Sequence, residues 1–304
     1  MENKYIGLEN ILNKENIKYN EPMKSHTTMQ VGGPCDCLVL PESISEIEKV
    51  VSYAKENDIK YYIIGNGSNL LVLDSGVKGL VIKIGNKFAN VEIKEDEITA
   101  DAGLSVPKLA QIAKKNALSG LEFACGIPGT VGGCVRMNAG AYGGEMKDIV
   151  KEVTYLDENG DIKKILGEDM EFSYRHSIFS SNPCWIILSV TFKLKRGDLE
   201  EITKIMDENT LARRTKQPLE YPNFGSVFKR PEGYFVGKLV QDSGLRGKVI
   251  GGAQVSEKHT GFMVNRGDAT CKDVLDLIKF VQDTVYEKFG VHLNTEVEII
   301  GGES

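Results

Sequence analysis

Apolar residues recur along the chain with two periods, and the switching between them predicts a mixed fold. Over SISEIEKVVSYAKEN (43–57), Ile47, Val50, Val51 and Ala54 share one helical face, and Ser43-x-x-Glu46 reads as a capping box at its start. KYYIIG (60–65), LLVL (70–73), GLVIKI (79–84) and ITADAG (98–103) are short apolar runs of strand character. SVPKLAQIAKKN (105–116) predicts a helix with Ser105 as its cap. KEVTYLDENGDIKKI (151–165) reads as a hairpin turning at Asn159-Gly160, and CWIILSVTFKLK (184–195) as one long strand.

Past residue 197 the pattern changes. DLEEITKIMDENTLARRTK (198–216) predicts a polar amphipathic helix ending in a basic turn. A Gly/Pro-marked loop (217–233) leads to a short helix near 234–242, then to strands at KVIGGAQVS and GFMVN. A helix is expected from about Thr270 to Phe289, with Val274, Leu275, Ile278, Val281 and Val285 on its apolar face. EVEII (296–300) closes the chain as a strand, with Glu296 and Glu298 on one face. Strands and helices without regular βαβ alternation predict an α+β fold.

One stretch resists both periods. GIPGTVGGCVRMNAGAYGG (126–144) carries seven glycines among residues suited to a core, although each glycine in a regular element costs about 0.5–1 kcal/mol relative to alanine. Bare backbone is needed there, for a phosphate cradle, for tight turns, or for both. A P-loop is excluded because no Lys follows a glycine at the required spacing. Gly65-Asn66-Gly67-Ser68-Asn69 starts like a dinucleotide fingerprint, but the third glycine is missing and another strand follows. Strand-turn-strand GNGSN and the GIPGT loop (126–130) remain, either as tight turns or as nests of backbone N–H groups for an anion.

Composition narrows the field further. A chain of 304 residues allows two or three domains, and 41% hydrophobic with 26% charged residues is globular. A net charge of −6 argues against non-specific nucleic-acid binding. The first residues lack the pattern of a signal peptide, and no apolar run reaches the ~18 residues of a membrane span, so a cytoplasmic protein without membrane insertion is expected. Six cysteines (35, 37, 125, 134, 184 and 271) do not form a disulfide framework. The Cys35–Cys37 pair lacks partners for a metal site, so no metal is expected and buried thiols are.

HTTMQVGG (26–33), GNGSNLLV (65–72), GIPGTVGGCVRMNAGAYGGE (126–145), YRHSIF (174–179), GSVFKRP (225–231), GGAQVSEKHTGFMVN (251–265) and EVEIIG (296–301) occur in this order. Together they resemble the UDP-N-acetylenolpyruvoylglucosamine reductases, flavin enzymes of peptidoglycan precursor synthesis, in the shorter of that family's two structural types. The resemblance runs from about residue 20 to the C-terminal end. It implies an FAD-binding fold of the vanillyl-alcohol oxidase-like type in two subdomains, 1–82 with 296–304 and 83–200, plus a smaller α+β substrate domain, 201–295. It also implies non-covalent FAD, NADPH as hydride donor and a UDP-sugar enolpyruvyl ether as substrate; a monomer or weak oligomer is expected.

The same resemblance implies the site residues. Gly65, Asn66, Gly67, Ser68 and Asn69 would cradle the FAD pyrophosphate, together with Gly126, Ile127, Pro128, Gly129, Thr130, Gly132 and Gly133. Val31 to Gly33 would shape the same region. Asn138 and Ala139 would begin a turn, running to Gly144, that packs below the flavin. Arg175 would be a fixed cation, Ser226 the proton donor and Glu296 the third catalytic group. Arginine suits its task because its fork meets a carboxylate bidentately and stays charged. Serine is a weak acid and needs help, for which Lys229 is close in sequence.

Arg213, Arg214 and Lys216 are open to two readings, as ligands of the UDP diphosphate or as the favourable cationic end of a helix. Tyr174, Lys229 and Gln254 are further substrate-contact candidates, and His259 is expected to fix a loop. Two positions depart from the family pattern. Phe224 stands where many members have a small residue. Arg136 replaces a commonly aromatic or aliphatic residue and is open to a partner chain or an FAD phosphate. The rival functions are an FAD oxidase of the same fold acting on an alcohol or amine, and a non-catalytic sugar-nucleotide sensor.

Overall fold

The helix read at Ser43 forms with half of its capping box. In the computed structural model, which describes residues 4–302, Ser43 Oγ accepts from Glu46 N–H at 3.2 Å. The Glu46 carboxylate reaches past Ser43 and accepts from Glu42 N–H at 2.6 Å. The α-helices of the described residues are α1 (Ile44–Glu56), α2 (Val106–Lys115), α3 (Val131–Arg136), α4 (Ile178–Ser181), α5 (Leu199–Lys216), α6 (Val236–Asp242) and α7 (Cys271–Phe289). Ser105 is the N-cap of α2, but its side chain makes no capping bond. Thr270 caps α7 in a complete box with Asp273.

The chain divides into two compact units. The first holds the residues up to Tyr19, Cys37–Asn66 and Leu80–Arg213, and the second holds Asn20–Asp36, Gly67–Gly79 and Arg214 onward.

The first unit is built on a five-stranded antiparallel sheet in the order Ile162–Leu166, Val150–Leu156, Ile186–Lys193, Glu97–Asp101, Val91–Lys94. The expected hairpin pairs Leu156 with Ile162 and Glu152 with Leu166. Ile186–Lys193 is central and buries five of its first seven residues, with Ile186, Leu188, Val190 and Phe192 lining one face. Thr99 and Thr191 stand opposite each other and share a hydroxyl hydrogen bond of 2.9 Å. Helix α3 packs against this central strand. Val106, Leu109, Ala110 and Ala113 of α2, with Val131, Cys134 and Val135 of α3, join the same apolar core.

In the second unit, Glu298–Gly302 runs parallel to Leu70–Val77, pairing Glu298 with Leu70 and Gly302 with Val77. Val249–Ile250, Ala253–Val255 and Met263–Asn265 form a small antiparallel sheet. Val274, Leu277, Ile278, Val281 and Val285 of α7 bury one face in a core shared with Phe224, Val227, Phe228 and Met263. The substituted Phe224 is thus an anchor of this core and is 2% exposed.

Three expectations are corrected. LLVL and GLVIKI are parts of one 14-residue strand, Leu70–Lys83. The intervening Asp74-Ser75-Gly76 has the composition of a loop, yet a bulge in the parallel ladder absorbs it. Asp74 is there for another purpose: its carboxylate accepts from the first N–H groups of α7, at Cys271 (2.8 Å) and Lys272 (2.9 Å). The closing strand starts at Glu298 rather than 296, so Glu296 lies in the segment before it. Finally, Cys35, Cys37, Cys134 and Cys271 are buried thiols, but Cys184 is exposed and Cys125 half-buried.

Candidate active site

In the first unit the two glycine-rich loops meet. Asn66 Nδ2 donates to Pro128 O at 3.1 Å. A Cβ on Gly65 would lie 2.4 Å from Thr130 Oγ1, so only glycine lets the strand end pass so close. Thr130 is the N-cap of α3, its hydroxyl accepting from Gly133 N–H at 3.4 Å. This refines the sequence reading: Gly126 to Thr130 are loop, whereas Gly132 and Gly133 are the first turn of a helix. The N–H groups of Val131 and Gly132 are committed to Leu104 O (2.8 Å) and Ala102 O (2.9 Å). Ile127 and Ala139 pack against the apolar core.

Asn138 is fully buried with φ +45°, and its amide bonds inward, to Glu145 and Ser173. Arg175 lies in a tight turn beside the exposed Tyr174, its guanidinium carbon 4.9 Å from the Tyr174 ring centroid. Arg136 Nη1 donates to Phe179 O at 2.6 Å, which ties the end of α3 to α4.

The basic cluster separates. Arg213 is half-buried and packs over Gly126, where a Cβ would stand 2.7 Å from Arg213 Cδ. Burial lowers its pKa from the usual value, opposed by Tyr142 and Cys125. Arg214 and Lys216 are exposed and belong to the second unit. The helical register, which turns about 100° per residue, sends neighbouring side chains in different directions.

The second unit holds the other two catalytic candidates on one paired segment. Gly225 has φ +84°, open to glycine alone without strain, and its N–H donates to Asn223 Oδ1 at 3.0 Å. Ser226 pairs with Phe262 and Phe228 with Thr295 in isolated bridges. Glu296 N–H donates to Val227 O at 2.8 Å. Ser226 Oγ contacts Phe228 O at 3.4 Å. Asn69 Nδ2 donates to Glu296 O at 2.9 Å, so the last residue of GNGSN braces the Glu296 backbone.

Lys229 is exposed, with its N–H on Asn294 O. Gln254 is buried, its amide engaged by Gly247 O (3.2 Å) and Arg266 (3.0 Å). His259 does fix a loop: its Nδ1 accepts from Gly261 N–H at 3.1 Å, and burial lowers its pKa. Among the described residues no group of three His, Cys, Asp or Glu can hold a metal ion.

Each unit, taken by itself, holds a feature that suits a polar, phosphate-bearing group. In the first unit the glycine at 65 keeps bare backbone and the Thr130 hydroxyl in close approach. In the second, Thr28 N–H donates to Gly67 O, while its own hydroxyl is buried without a protein partner. Thr28, Asn223 and Glu145 escaped the sequence reading. For Thr28, the run of polar residues before VGG was the available signal.

The chain is similar to known proteins over nearly its whole length. Residues 34–166 match the FAD binding domain profile, and residues 217–300 match the profile for the C-terminal domain of UDP-N-acetylenolpyruvoylglucosamine reductase. The enzyme of that name from Alkaliphilus oremlandii (strain OhILAs) is 50% identical over 299 residues, covering 98% of both chains. That from Clostridioides difficile (strain 630) is 51% identical over 297 residues, covering 98% of this chain and 97% of the other. The crystal structure of the Thermus caldophilus reductase is 37% identical, with a TM-score of 0.80 over 93% of this chain and 97% of that one. Alkyldihydroxyacetonephosphate synthase, at 17% identity and a TM-score of 0.51 over 64% of this chain and 41% of that one, shares the fold.

Proposed function

The chain belongs to the UDP-N-acetylenolpyruvoylglucosamine reductase family, and from that premise we propose how its own residues divide the reaction. It is an FAD-dependent oxidoreductase with the vanillyl-alcohol oxidase-like FAD-binding fold. FAD, when bound, supplies hydride to the enolpyruvyl ether of the UDP-sugar, and NADPH is the donor that reloads it.

Hydride addition at the terminal carbon builds negative charge on the neighbouring carbon and its carboxylate. Arg175 meets that charge with its planar guanidinium, whose fork matches a carboxylate. Ser226 delivers the proton to the carbanionic carbon, a role worth about 10²–10⁴ in rate. A bare carboxylate would repel the developing enolate, so Glu296 serves by keeping the proton relay in place rather than by facing the enolate. The observation that carries this reading is the backbone pairing of the Ser226 and Glu296 segments, closed by the 2.8 Å bond from Glu296 to Val227.

In this reading Gly65 to Asn69 and Gly126 to Gly133 hold the pyrophosphate, and Arg213, Lys229 and Tyr174 contact the substrate. Gln254, with its amide committed internally, acts as scaffold for Arg266. Arg214 and Lys216 remain candidates for the diphosphate. We keep FAD subdomains of 1–82 with 296–304 and 83–200, a substrate domain of 201–295, a cytoplasmic location and a monomer or weak oligomer as parts of the proposal. Among the described residues no helix is long and apolar enough to cross a membrane.

The test is anaerobic. NADPH bleaches the yellow holoenzyme, and the enolpyruvyl UDP-sugar restores its colour. Ser226→Ala bleaches at the normal rate and recovers colour at least about 10²-fold more slowly. Equal slowing of both half-reactions removes Ser226 from the proton-donor role, and reoxidation by O₂ with the UDP-sugar inert favours an oxidase.

A further inference from the structure

Arg175 stands in a backbone conformation that its side chain disfavours. Ser173 and His176 exchange both backbone hydrogen bonds, at 3.1 and 3.2 Å, so Tyr174 and Arg175 form a two-residue turn. Arg175 has φ +56°, a region that favours glycine or asparagine at this place in a turn. Such a residue persists when its surroundings over-determine it.

The surroundings are supplied from the end of the glycine-rich segment. Before the turn, Asn138 Nδ2 donates to Ser173 O at 3.0 Å and to Glu145 Oε2 at 3.1 Å, while its Oδ1 accepts from Lys147 N–H at 3.0 Å. Three of the amide's four hydrogen-bonding positions are thereby occupied inside the protein, and the side chain is fully buried. After the turn, Ser177 Oγ and Ser180 Oγ both donate to Arg136 O, at 2.7 and 2.8 Å. Residues 136 and 138 therefore grip the Arg175 turn from both sides. Glu145 adds an anion: Lys147 first, then Asn138, and more weakly Arg175 hold its carboxyl below the usual range.

We propose that Asn138 is a positioning residue for Arg175, holding the turn through Ser173 O, rather than a wall of the cofactor site. The proposal rests on the reading of Arg175 as the cation that meets the substrate carboxylate. Its bonds run to the Glu145–Lys147 segment and to Ser173, which accounts for a buried amide in a left-handed conformation at the end of α3. The glycine-rich segment then has two tasks in sequence, cofactor backbone up to Gly133 and support of the arginine turn from Arg136 onward.

Asn138→Gly tests this, because glycine keeps φ +45° accessible while deleting the three side-chain bonds. Expected are an FAD dissociation constant and an NADPH bleaching rate within about threefold of the unmodified protein, with reoxidation by the enolpyruvyl UDP-sugar at least about tenfold slower. In an Arg175→Ala background the same change slows reoxidation by less than about twofold further, since the positioned group is already gone. Weakened FAD binding with both half-reactions slowed, or full multiplicative slowing in the Arg175→Ala background, overturns the proposal. If Arg175→Ala alone reoxidises at the normal rate, the assignment of Arg175 itself falls. If Arg175→Ala is slow and Asn138→Gly is fast, only the positioning role falls. Should Asn138→Gly not fold, Asn138→Asp carries the same measurements, because it keeps an acceptor for Lys147 N–H but loses the donor to Ser173 O, and the same split between half-reactions is expected.

Discussion

Asn69 Nδ2 donates to the carbonyl oxygen of Glu296 at 2.9 Å, across 227 positions of sequence. Glu298 N–H returns a bond to Asn69 O at 3.0 Å, so the end of GNGSN is stitched to the start of the closing strand. Asn69→Ala is expected to lower stability by about 1 kcal/mol and to slow reoxidation by the UDP-sugar about tenfold, leaving NADPH bleaching nearly unchanged. Stopped-flow measurement of both half-reactions checks it. Slowing confined to bleaching would return Asn69 to a purely cofactor role.

The close approach at Gly65 makes a second prediction. Gly65→Ala places a Cβ 2.4 Å from Thr130 Oγ1, which must leave its position as cap of α3. The cap is worth about 1 kcal/mol, and FAD affinity is expected to fall at least about tenfold. Gly85→Ala is the control, because the nearest atom to its added Cβ is the flexible Lys83 side chain at 3.6 Å. Flavin absorbance of the purified proteins reads the outcome. Equal flavin content in both variants argues against the loop as cofactor wall.

Acid sensitivity follows from Asp157 at the β-hairpin turn. Its carboxylate accepts from Lys163 and from the N–H groups of Asn159 and Asp161, both at 2.9 Å. The Lys163 bond, with those backbone bonds, holds the pKa well below the usual carboxylate value against the opposing effect of burial. Since the folded value is depressed, the stabilisation is present above the unfolded pKa of about 3.9 and is lost as pH falls through that value toward the folded one. Asp157→Asn is therefore expected to be less stable than the unmodified protein at pH 7, with the gap narrowing at about pH 3. Urea unfolding at the two values checks the sign, and a gap that widens in acid contradicts it.

Thiol chemistry divides by burial. Burial pushes the thiols of Cys35, Cys134 and Cys271 up to about 12, so they carry almost no thiolate near neutrality. Cys184 is exposed. Iodoacetamide on the native protein is expected to modify Cys184 first and to spare these three, all six reacting in urea. Peptide mass spectrometry identifies the order, and early labelling of Cys134 would mean that α3 opens readily.

Much of this was legible in the chain itself. Helices α1, α2, α5, α6 and α7 and the 150–166 hairpin lie close to where period and turn chemistry predicted them. The loops at 65–69 and 126–130 were recognisable as backbone-lined because glycine clusters have few other uses. Elsewhere the same signals misled. Asp74-Ser75-Gly76 reads as a loop, since nothing local reveals that Asp74 caps a helix 197 residues away. Glu296 reads as a residue of the closing strand because alternation continues through it, yet that strand begins at Glu298 and Glu296 bonds Val227 instead. Arg213, Arg214 and Lys216 read as one cluster, although Arg213 is half-buried in the first unit while Arg214 and Lys216 are exposed in the second.

What the sequence by itself determined is the set of local elements, the character of the two glycine loops and the motif order that marks the family. These depend on periodicity, capping and turn preference, which act over about four residues. Tertiary structure alone decided which groups hold which: Asn69 under Glu296, Asp74 on α7, Arg213 over Gly126, and Asn138 behind the Arg175 turn. A buried amide or carboxylate must find a partner, but its identity depends on which distant backbone the closed chain brings within 3 Å. Composition and spacing carry no record of that.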